Sequence, residues 1–218
     1  MKKLTPEGEN QPSDTGCETS IYGSRVFKDY RTIKRGAGPF NLATDVALDK
    51  EGNIYVSDGY ANARVHKFSE GELLLSWGEP GREPGQFNLP HGIFVSEDIV
   101  YVADRENSRI QVFETDGKFL GEWDVNRPTD VVVHEGKVIV SELGYNVGSA
   151  AISTKPKDGI KAGRLSIFSL DGGLLSRWGT DDYRALGSFR AAHAVCVDSK
   201  GSIYVGCDLV GRERWRCT

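Results

Sequence analysis

One short pattern occurs four times along the chain, and no other feature restricts its fold as much. Each copy opens with a short loop segment and closes an apolar strand 17 or 18 residues later. Self-similarity with a period of roughly 40 to 50 residues is typical of propellers, solenoids and other repeat folds. The openings are at Phe40, Phe87, Val125 and Phe189, and the strands are Ile54–Asp58, Val100–Asp104, Val138–Glu142 and Ile203–Cys207.

The strands indicate an all-β protein. They are short, rich in Val, Ile and Tyr, and bounded by Gly, Asp and Asn, and no segment shows a sustained helical period. A third segment with alternating polar and apolar residues follows at 63–68 and at 108–113. A tight turn and a fourth strand ending in Trp come next, at Trp77, Trp123 and Trp178. Four antiparallel strands per unit form one blade of a β-propeller.

We expect three complete blades and two partial ones. Residues 3–9 resemble residues 67–72, which end the third strand of the first copy, so the chain is expected to begin inside a blade. We assign residues 1–39 to the end of a preceding blade plus a long connection, and residues 40–218 to the propeller blades. Incomplete blades expose sheet edges, which predicts self-association through those open edges.

Composition argues against several kinds of partner. The net charge is -4 and the pI is about 5.6, so a nucleic-acid surface, which is usually basic, is not expected. No run of about 18 apolar residues occurs, so no membrane span is expected. The N-terminus lacks the apolar core of a signal peptide, which by default predicts a cytoplasmic protein. The four cysteines are too scattered for a disulfide framework or a CxxC metal site.

The repeats place four side chains at equivalent points before the innermost strand of each blade. They are Thr44, His91, Thr129 and His193, and the two histidines are expected to face the central channel at one end. Imidazole is the commonest zinc ligand, and a catalytic zinc keeps three protein ligands, so the pair is one short. Each histidine alternatively bonds a neighbouring carbonyl. We call this set of four equivalent side chains the column. The other two histidines, His66 and His134, do not belong to it and are expected to be structural or solvated.

Tyr60 and Arg105 follow the aspartates that close the second strand of the first two copies, Asp58 and Asp104. Both are expected at the same loop end as the histidines. A tyrosine near a metal or an arginine can act as a base, and an arginine can bind a carboxylate through two hydrogen bonds. Alternatively they are ordinary polar turn residues beside aspartates that cap local turns.

A second expectation concerns the threonines of the column. Each is followed by an aspartate, in Thr44-Asp45 and in Thr129-Asp130. We expect these two pairs to form hydrogen bonds between blades.

These residues resemble NHL repeats and, more narrowly, the peptidyl-α-hydroxyglycine α-amidating lyases and their bacterial relatives. The resemblance rests on three motifs: D-G-Y-A-N-A-R at 58–64, P-G-Q-F-N-L-P-H at 84–91 and A-D-R-E-N at 103–107. It covers residues 40 to 115 and resumes more weakly at 187 to 206. A generic NHL repeat would not contain all three motifs.

The resemblance implies a six-bladed propeller that cleaves a peptidyl-α-hydroxyglycine to the peptide amide and glyoxylate. In that family three channel histidines bind zinc, and a structural calcium lies in the channel. By motif, His91 and His193 correspond to the second and third zinc ligands. Tyr60 corresponds to the proposed base, and Arg105 to an active-site arginine.

The chain also departs from the lyase pattern. The first zinc histidine and a substrate arginine belong to an upstream blade and have no counterpart here. Ala192-His193-Ala194 replaces a Pro-His-Asp sequence, and Cys207 replaces an aspartate. Two functions therefore stay open. One is zinc-assisted lyase chemistry on a peptide or small-molecule substrate, and the other is a non-catalytic NHL propeller that binds a peptide or protein partner.

Overall fold

The computed structural model of the chain describes residues 14–22, 25–145, 162–180, 182 and 185–207. The expected blade end at residues 3–9, the segment 146–161 and residues 208–218 lie outside these ranges. Within the described ranges, all regular structure is strand apart from two single-turn 3-10 helices. No helix in these ranges has the length and apolarity to cross a membrane.

Three antiparallel four-stranded sheets follow one another along the chain, with their strands paired in sequence order. A two-stranded sheet follows them and a hairpin precedes them. The hairpin is β1 (Thr19–Tyr22) and β2 (Arg25–Lys28), with a 3-10 helix at Tyr30–Thr32; the first blade is β3 (Ala43–Leu48), β4 (Ile54–Asp58), β5 (Arg64–Ser69) and β6 (Glu72–Trp77); the second is β7 (Pro90–Ser96), β8 (Ile99–Asp104), a 3-10 helix at Arg105–Asn107, β9 (Arg109–Glu114) and β10 (Phe119–Asp124); the third is β11 (Pro128–His134), β12 (Lys137–Glu142), β13 (Arg164–Ser169) and β14 (Leu174–Trp178); the last pair is β15 (Ala192–Val197) and β16 (Ile203–Cys207).

The expected all-β propeller blades are confirmed, with three complete blades and an incomplete one after them. One feature was not expected. The connection before residue 40 contains the β1–β2 hairpin and a 3-10 helix. Four-residue strands are too short to show a reliable alternation of polar and apolar residues, so the sequence did not reveal them.

The apolar core lies between neighbouring blades. Side chains of adjacent sheets pack together in three clusters, one at each boundary. In a repeat architecture of this kind no unit buries its apolar face alone, and each blade depends on the next. Representative members are Tyr55 and Ile93 at the first boundary, Tyr101 and Val131 at the second, and Ile139 and Val195 at the third.

The tryptophans that end the outer strands have a specific role at these boundaries. A Cβ added to Gly117 would lie 3.1 Å from the ring of Trp77, and one added to Gly172 would lie 2.8 Å from the ring of Trp123. Each of these tryptophans therefore packs against the glycine turn of the following blade. Both glycines also have positive φ, which the turn requires and most other residues disfavour.

The innermost strands are joined by side-chain hydrogen bonds. The threonine of each Thr-Asp pair donates to a backbone carbonyl of the next blade, and the aspartate accepts a backbone N–H from it. The expectation that these pairs bond between blades is therefore confirmed. The bonds are Thr44 Oγ1 to Pro90 O at 2.8 Å, Thr129 Oγ1 to Ala192 O at 3.0 Å, Ile93 N to Asp45 Oδ2 at 3.0 Å and Val195 N to Asp130 Oδ2 at 2.8 Å.

Gly92→Ala should destabilise the propeller through the boundary between the second and third blades. A Cβ at Gly92 would lie 2.6 Å from Asp130 Cα and 2.7 Å from Thr129 O, which are backbone atoms that cannot turn aside. Overpacking of this kind costs about 1–3 kcal/mol or more. Urea unfolding measures the change. The control is Gly121→Ala in β10, where a Cβ meets nothing within 4 Å, and equal effects of the two changes would contradict the prediction.

Asp130 should make the protein more stable at mildly acidic pH. Burial raises the pKa of Asp130 to about 6, and repulsion from Asp45 adds to the effect. Between its ordinary pKa near 4 and this value the folded state binds more protons than the unfolded state, so the free energy of unfolding falls as pH rises through that window. Urea unfolding from pH 4 to 7 should show a shallower fall in Asp130→Asn. Asp171→Asn, at an exposed turn, should keep the full slope.

Candidate active site

A break in strand pairing sets the direction of each of the four column side chains. In every blade, the register between the first two strands shifts at the column residue, so that an extra residue bulges from the innermost strand. A β-bulge re-aims a side chain and frees it from the ladder. The shifts lie between Ala43 and Asp45, Pro90 and Ile93, Pro128 and Asp130, and Ala192 and Ala194, which brackets Thr44, His91, Thr129 and His193.

A second repeated feature fixes the loop after the second strand. Three residues that enter the innermost strands have positive φ although none is glycine, and each carbonyl accepts a backbone N–H from this loop. The bonds are Tyr60 N to Leu42 O at 3.2 Å, Arg105 N to Leu89 O at 3.2 Å and Leu143 N to Arg127 O at 3.0 Å. Tyr60 and Arg105 therefore occupy the same loop position on successive blades.

The two aspartates that close the second strands accept hydrogen bonds from the loop segments that precede the innermost strands. Asp58 accepts the backbone N–H of Asn41 at 2.9 Å, and Asp104 accepts that of Asn88 at 2.8 Å. The expected capping of local turns is seen in part: Asp104 makes no backbone cap, and each aspartate accepts the side-chain amide of an asparagine in its own turn, Asn62 at 2.9 Å and Asn107 at 2.8 Å. Asp104 also accepts a bond from Arg109 Nε at 2.8 Å, which compensates its burial.

The structure brings all four predicted site residues together. The hydroxyl of Tyr60 lies 3.1 Å from Nε2 of His91, and the two rings meet edge to face. The ring centroids of His91 and His193 are 4.8 Å apart. The guanidinium carbon of Arg105 lies 5.7 Å from the centre of the Tyr60 ring, within the range of a cation–π contact.

The hydrogen bonds of His91 define its protonation. Nδ1 lies 2.7 Å from the carbonyl oxygen of Thr129, which can only accept, so Nδ1 carries the proton. Burial lowers the pKa of His91 well below its ordinary value, and the charge of Arg105 lowers it further. The neutral ring therefore presents an unprotonated Nε2 toward Tyr60. The alternative interpretation of His91, a bond to a neighbouring carbonyl, is thus correct for one nitrogen and leaves the other available.

The two column histidines could hold part of a metal site. Nε2 of His91 is oriented by the bond from its Nδ1 to a backbone carbonyl, which is the usual arrangement for a metal-bound histidine. The ring of His193 adjoins it. Across the part of the chain that the structure describes, no three His, Cys, Asp or Glu side chains are grouped to hold a metal ion. The described residues thus fit two of the three protein ligands of a catalytic zinc.

Sequence analysis missed two residues beside the site. Oε1 of Glu106 accepts hydrogen bonds from Arg105 Nε at 2.8 Å and from Arg127 Nη2 at 3.0 Å. Arg127 is fully buried, and its guanidinium lies over the ring of Tyr145. A signal was present in the alignment of the repeats, because Arg127 occupies the positive-φ position that holds leucine in the first two blades.

The off-column histidines serve other purposes. His66 is completely buried, with Nδ1 2.7 Å from Ser76 Oγ and Nε2 3.3 Å from Asp58 Oδ2. It links the third strand of the first blade to the aspartate that holds the Tyr60 loop. Its structural role agrees with the expectation. His134 ends β11 with a partly exposed side chain.

Comparison with known proteins agrees with this architecture. The model of the NHL repeat matches residues 40–68 and 87–113. These two segments, in the first and second blades, are similar to NHL repeats. Among solved structures, hydrazine synthase of Kuenenia stuttgartiensis superimposes with a TM-score of 0.58 at 12% identity, over 88% of this chain and 47% of that one. Identity this low supports the shared fold alone.

Amidating enzymes and their lyases are among the relatives in sequence. Peptidyl-glycine alpha-amidating monooxygenase A of Xenopus laevis is 33% identical over 193 residues, 81% of this chain and 19% of that protein. The probable peptidyl-alpha-hydroxyglycine alpha-amidating lyase pgal-1 of Caenorhabditis elegans is 41% identical over 99 residues, 43% of this chain and 27% of that protein. Mouse NHL repeat-containing protein 3 is 39% identical over 101 residues, 42% and 29% of the two chains.

This chain spans less than a third of the length of each of these relatives. The likeness supports an NHL-repeat propeller that resembles the lyases. The expected lyase-like character is supported at this level, while the roles of Tyr60, His91, Arg105 and His193 stay predictions.

Proposed function

We propose that this site cleaves the C–N bond of peptides that end in α-hydroxyglycine, releasing the peptide amide and glyoxylate. The observation that carries the proposal is the contact between the Tyr60 hydroxyl and the unprotonated Nε2 of His91, with Arg105 over the same tyrosine ring. The three motifs that resemble the lyases supply these residues. Proximity of a base, an orienting histidine and a cation is the arrangement that a proton-transfer reaction on an anionic substrate requires.

The reaction needs one proton moved and no oxidant. The hydroxyl of the substrate loses its proton, its C–O bond becomes the carbonyl of glyoxylate, and the electron pair of the C–N bond passes to nitrogen, which takes up a proton. In the structure the Tyr60 hydroxyl donates to Nε2 of His91, because that nitrogen has no proton of its own. Because the pKa of His91 is lowered, its Nε2 orients this hydroxyl rather than removing its proton. The Tyr60 oxygen takes the proton of the substrate hydroxyl while its own proton passes to the departing nitrogen.

Arg105 suits the carboxylate of the substrate. Its side chain is nearly buried, and low dielectric strengthens a charge-assisted bond to an anion. Its contact with the Tyr60 ring keeps the cation beside the atom that takes the proton. An anion bound to Arg105 would thus hold its neighbouring hydroxyl near Tyr60.

A zinc ion would be held by Nε2 of His91 and by the ring of His193, with a further ligand from outside the described residues. When bound, it would supply positive charge that polarises the oxygen of the substrate hydroxyl. The calcium of the resembling family has no counterpart that we assign here. We expect zinc binding by this chain to be weak, because two protein ligands leave its coordination incomplete.

A non-catalytic propeller that binds a peptide or protein partner is the second candidate. Mouse NHL repeat-containing protein 3, whose name states no activity, resembles this chain to a similar degree as the lyases do. The same site, with Arg105 beside an aromatic ring, would then bind the carboxylate end of a peptide without cleaving it. Release of glyoxylate from the peptide distinguishes the lyase from the binding propeller.

Tyr60→Phe should abolish release of glyoxylate from a dipeptide that ends in α-hydroxyglycine. Loss of a proton-transferring side chain lowers the rate by about 10²–10⁴-fold. Glyoxylate is measured by a coupled dehydrogenase and the amide by mass spectrometry. The control is Tyr204→Phe, an exposed tyrosine of β16. If the wild-type chain binds the peptide without releasing glyoxylate, the binding propeller is the better description.

Zinc content should depend on the column histidines. Elemental analysis after dialysis against micromolar zinc should find more metal in the wild-type chain than in His91→Ala or His193→Ala, because each change removes one of two ligands. His134→Ala is the matched control, since that histidine lies off the column at the end of β11. Zinc at background in the wild type, or equal zinc in all four proteins, would contradict the assignment.

A further inference from the structure

The side chain of Arg105 has one pair of hydrogen-bond donors left for a ligand. Its Nε donates to Oε1 of Glu106 at 2.8 Å. Neither of its terminal nitrogens has a hydrogen-bond partner within the described ranges. Two-point recognition of a carboxylate needs two parallel N–H groups. With Nε engaged, only the terminal Nη1 and Nη2 pair can provide them.

The acceptor of the Nε bond is itself fixed. Glu106 is 3% exposed, and the same Oε1 accepts a bond from Arg127 Nη2 at 3.0 Å. Arg127 is anchored in turn by its Nη1, which donates to the carbonyl of Gly144 at 2.9 Å. Glu106 therefore cannot swing away from Arg105 without breaking a buried bond on its other side.

The charges of this cluster favour an anion. The guanidinium groups of Arg105 and Arg127 share the buried carboxylate of Glu106, whose single charge does not neutralise both. Titratable groups from other segments also face this cluster: Tyr145 lies beside Arg127, His91 feels the charges of both arginines, and Tyr30 has a buried hydroxyl that makes no bond to Glu106. Burial, with the charge of Glu106 as the next cause, raises the pKa of Tyr30 to about 12, so it stays neutral.

We propose that Glu106 is a positioning residue, which holds Nε of Arg105 and so aims the terminal donor pair at a ligand carboxylate beside Tyr60. The inference rests on the proposed function in taking that carboxylate to be the one on α-hydroxyglycine or glyoxylate. Arg127 contributes by fixing Glu106 from the second blade boundary. Charge balance alone does not require the carboxylate of Glu106 to be fixed, because a mobile carboxylate would offset the charge of the arginines equally well.

Glu106→Asp tests positioning because it keeps the charge and withdraws the carboxylate by one methylene. Glyoxylate binding to the full chain, followed by calorimetry without turnover, should weaken by about tenfold or more, since small misplacements at such sites cost that much. Arg105→Lys should weaken it similarly, because lysine lacks the paired donors. Tyr30→Phe should bind like the wild type, because the lost hydroxyl makes no bond to Glu106.

A spectroscopic measurement covers the case in which Glu106→Asp fails to fold. In the wild-type chain, the Nε–H signal of Arg105 should exchange slowly with water and stay in place when glyoxylate is added, while its terminal N–H signals shift. Rapid exchange of Nε–H, wild-type affinity in Glu106→Asp, or no glyoxylate binding by the wild type would each overturn the inference. Glyoxylate binding without glyoxylate production would refute the proposed function alone.

Discussion

Each described blade boundary depends on one side chain of the innermost strand that donates a hydrogen bond to a carbonyl of the next blade. Thr44 donates to Pro90 O, His91 to Thr129 O and Thr129 to Ala192 O, at 2.7 to 3.0 Å. A bulge at each of these positions removes the carbonyl from the regular ladder, and a buried carbonyl without a donor is costly. The column residues therefore have a structural role in joining the blades, independent of any chemical role.

A catalytic or ligand role becomes possible where the residue that bonds the carbonyl of the next blade has a second functional atom. A threonine hydroxyl is fully used by the scaffold, because it also bonds to the serine of the second strand. Imidazole has two nitrogens, and His91 gives one to the scaffold and presents the other to Tyr60. Replacing threonine by histidine at a column position thus keeps the bond between blades and adds a base or ligand.

Alignment of the repeats predicted the blades, the column and the shared loop end of Tyr60 and Arg105, because equivalent positions in a propeller point the same way. It could not predict the contact of Glu106 with Arg127. That bond joins two blades across 21 residues, and neither partner is a repeated residue type at its position. The partners of Asp58 and Asp104 were predicted only in part for a related reason, since besides a local asparagine each aspartate bonds a backbone amide 16 or 17 residues away.

The two candidate uses of His91 are in direct competition. Nε2 has a single lone pair, and the structure directs it to the hydroxyl of Tyr60. An ion bound at that nitrogen would exclude the Tyr60 proton from it, so the tyrosine oxygen would have to find another partner. The nearest cation to that ring is Arg105, which Glu106 already holds in place. Coordination at His91 and proton transfer by Tyr60 are therefore compatible if the bound ion or Arg105, rather than His91, stabilises the tyrosine oxygen during the reaction.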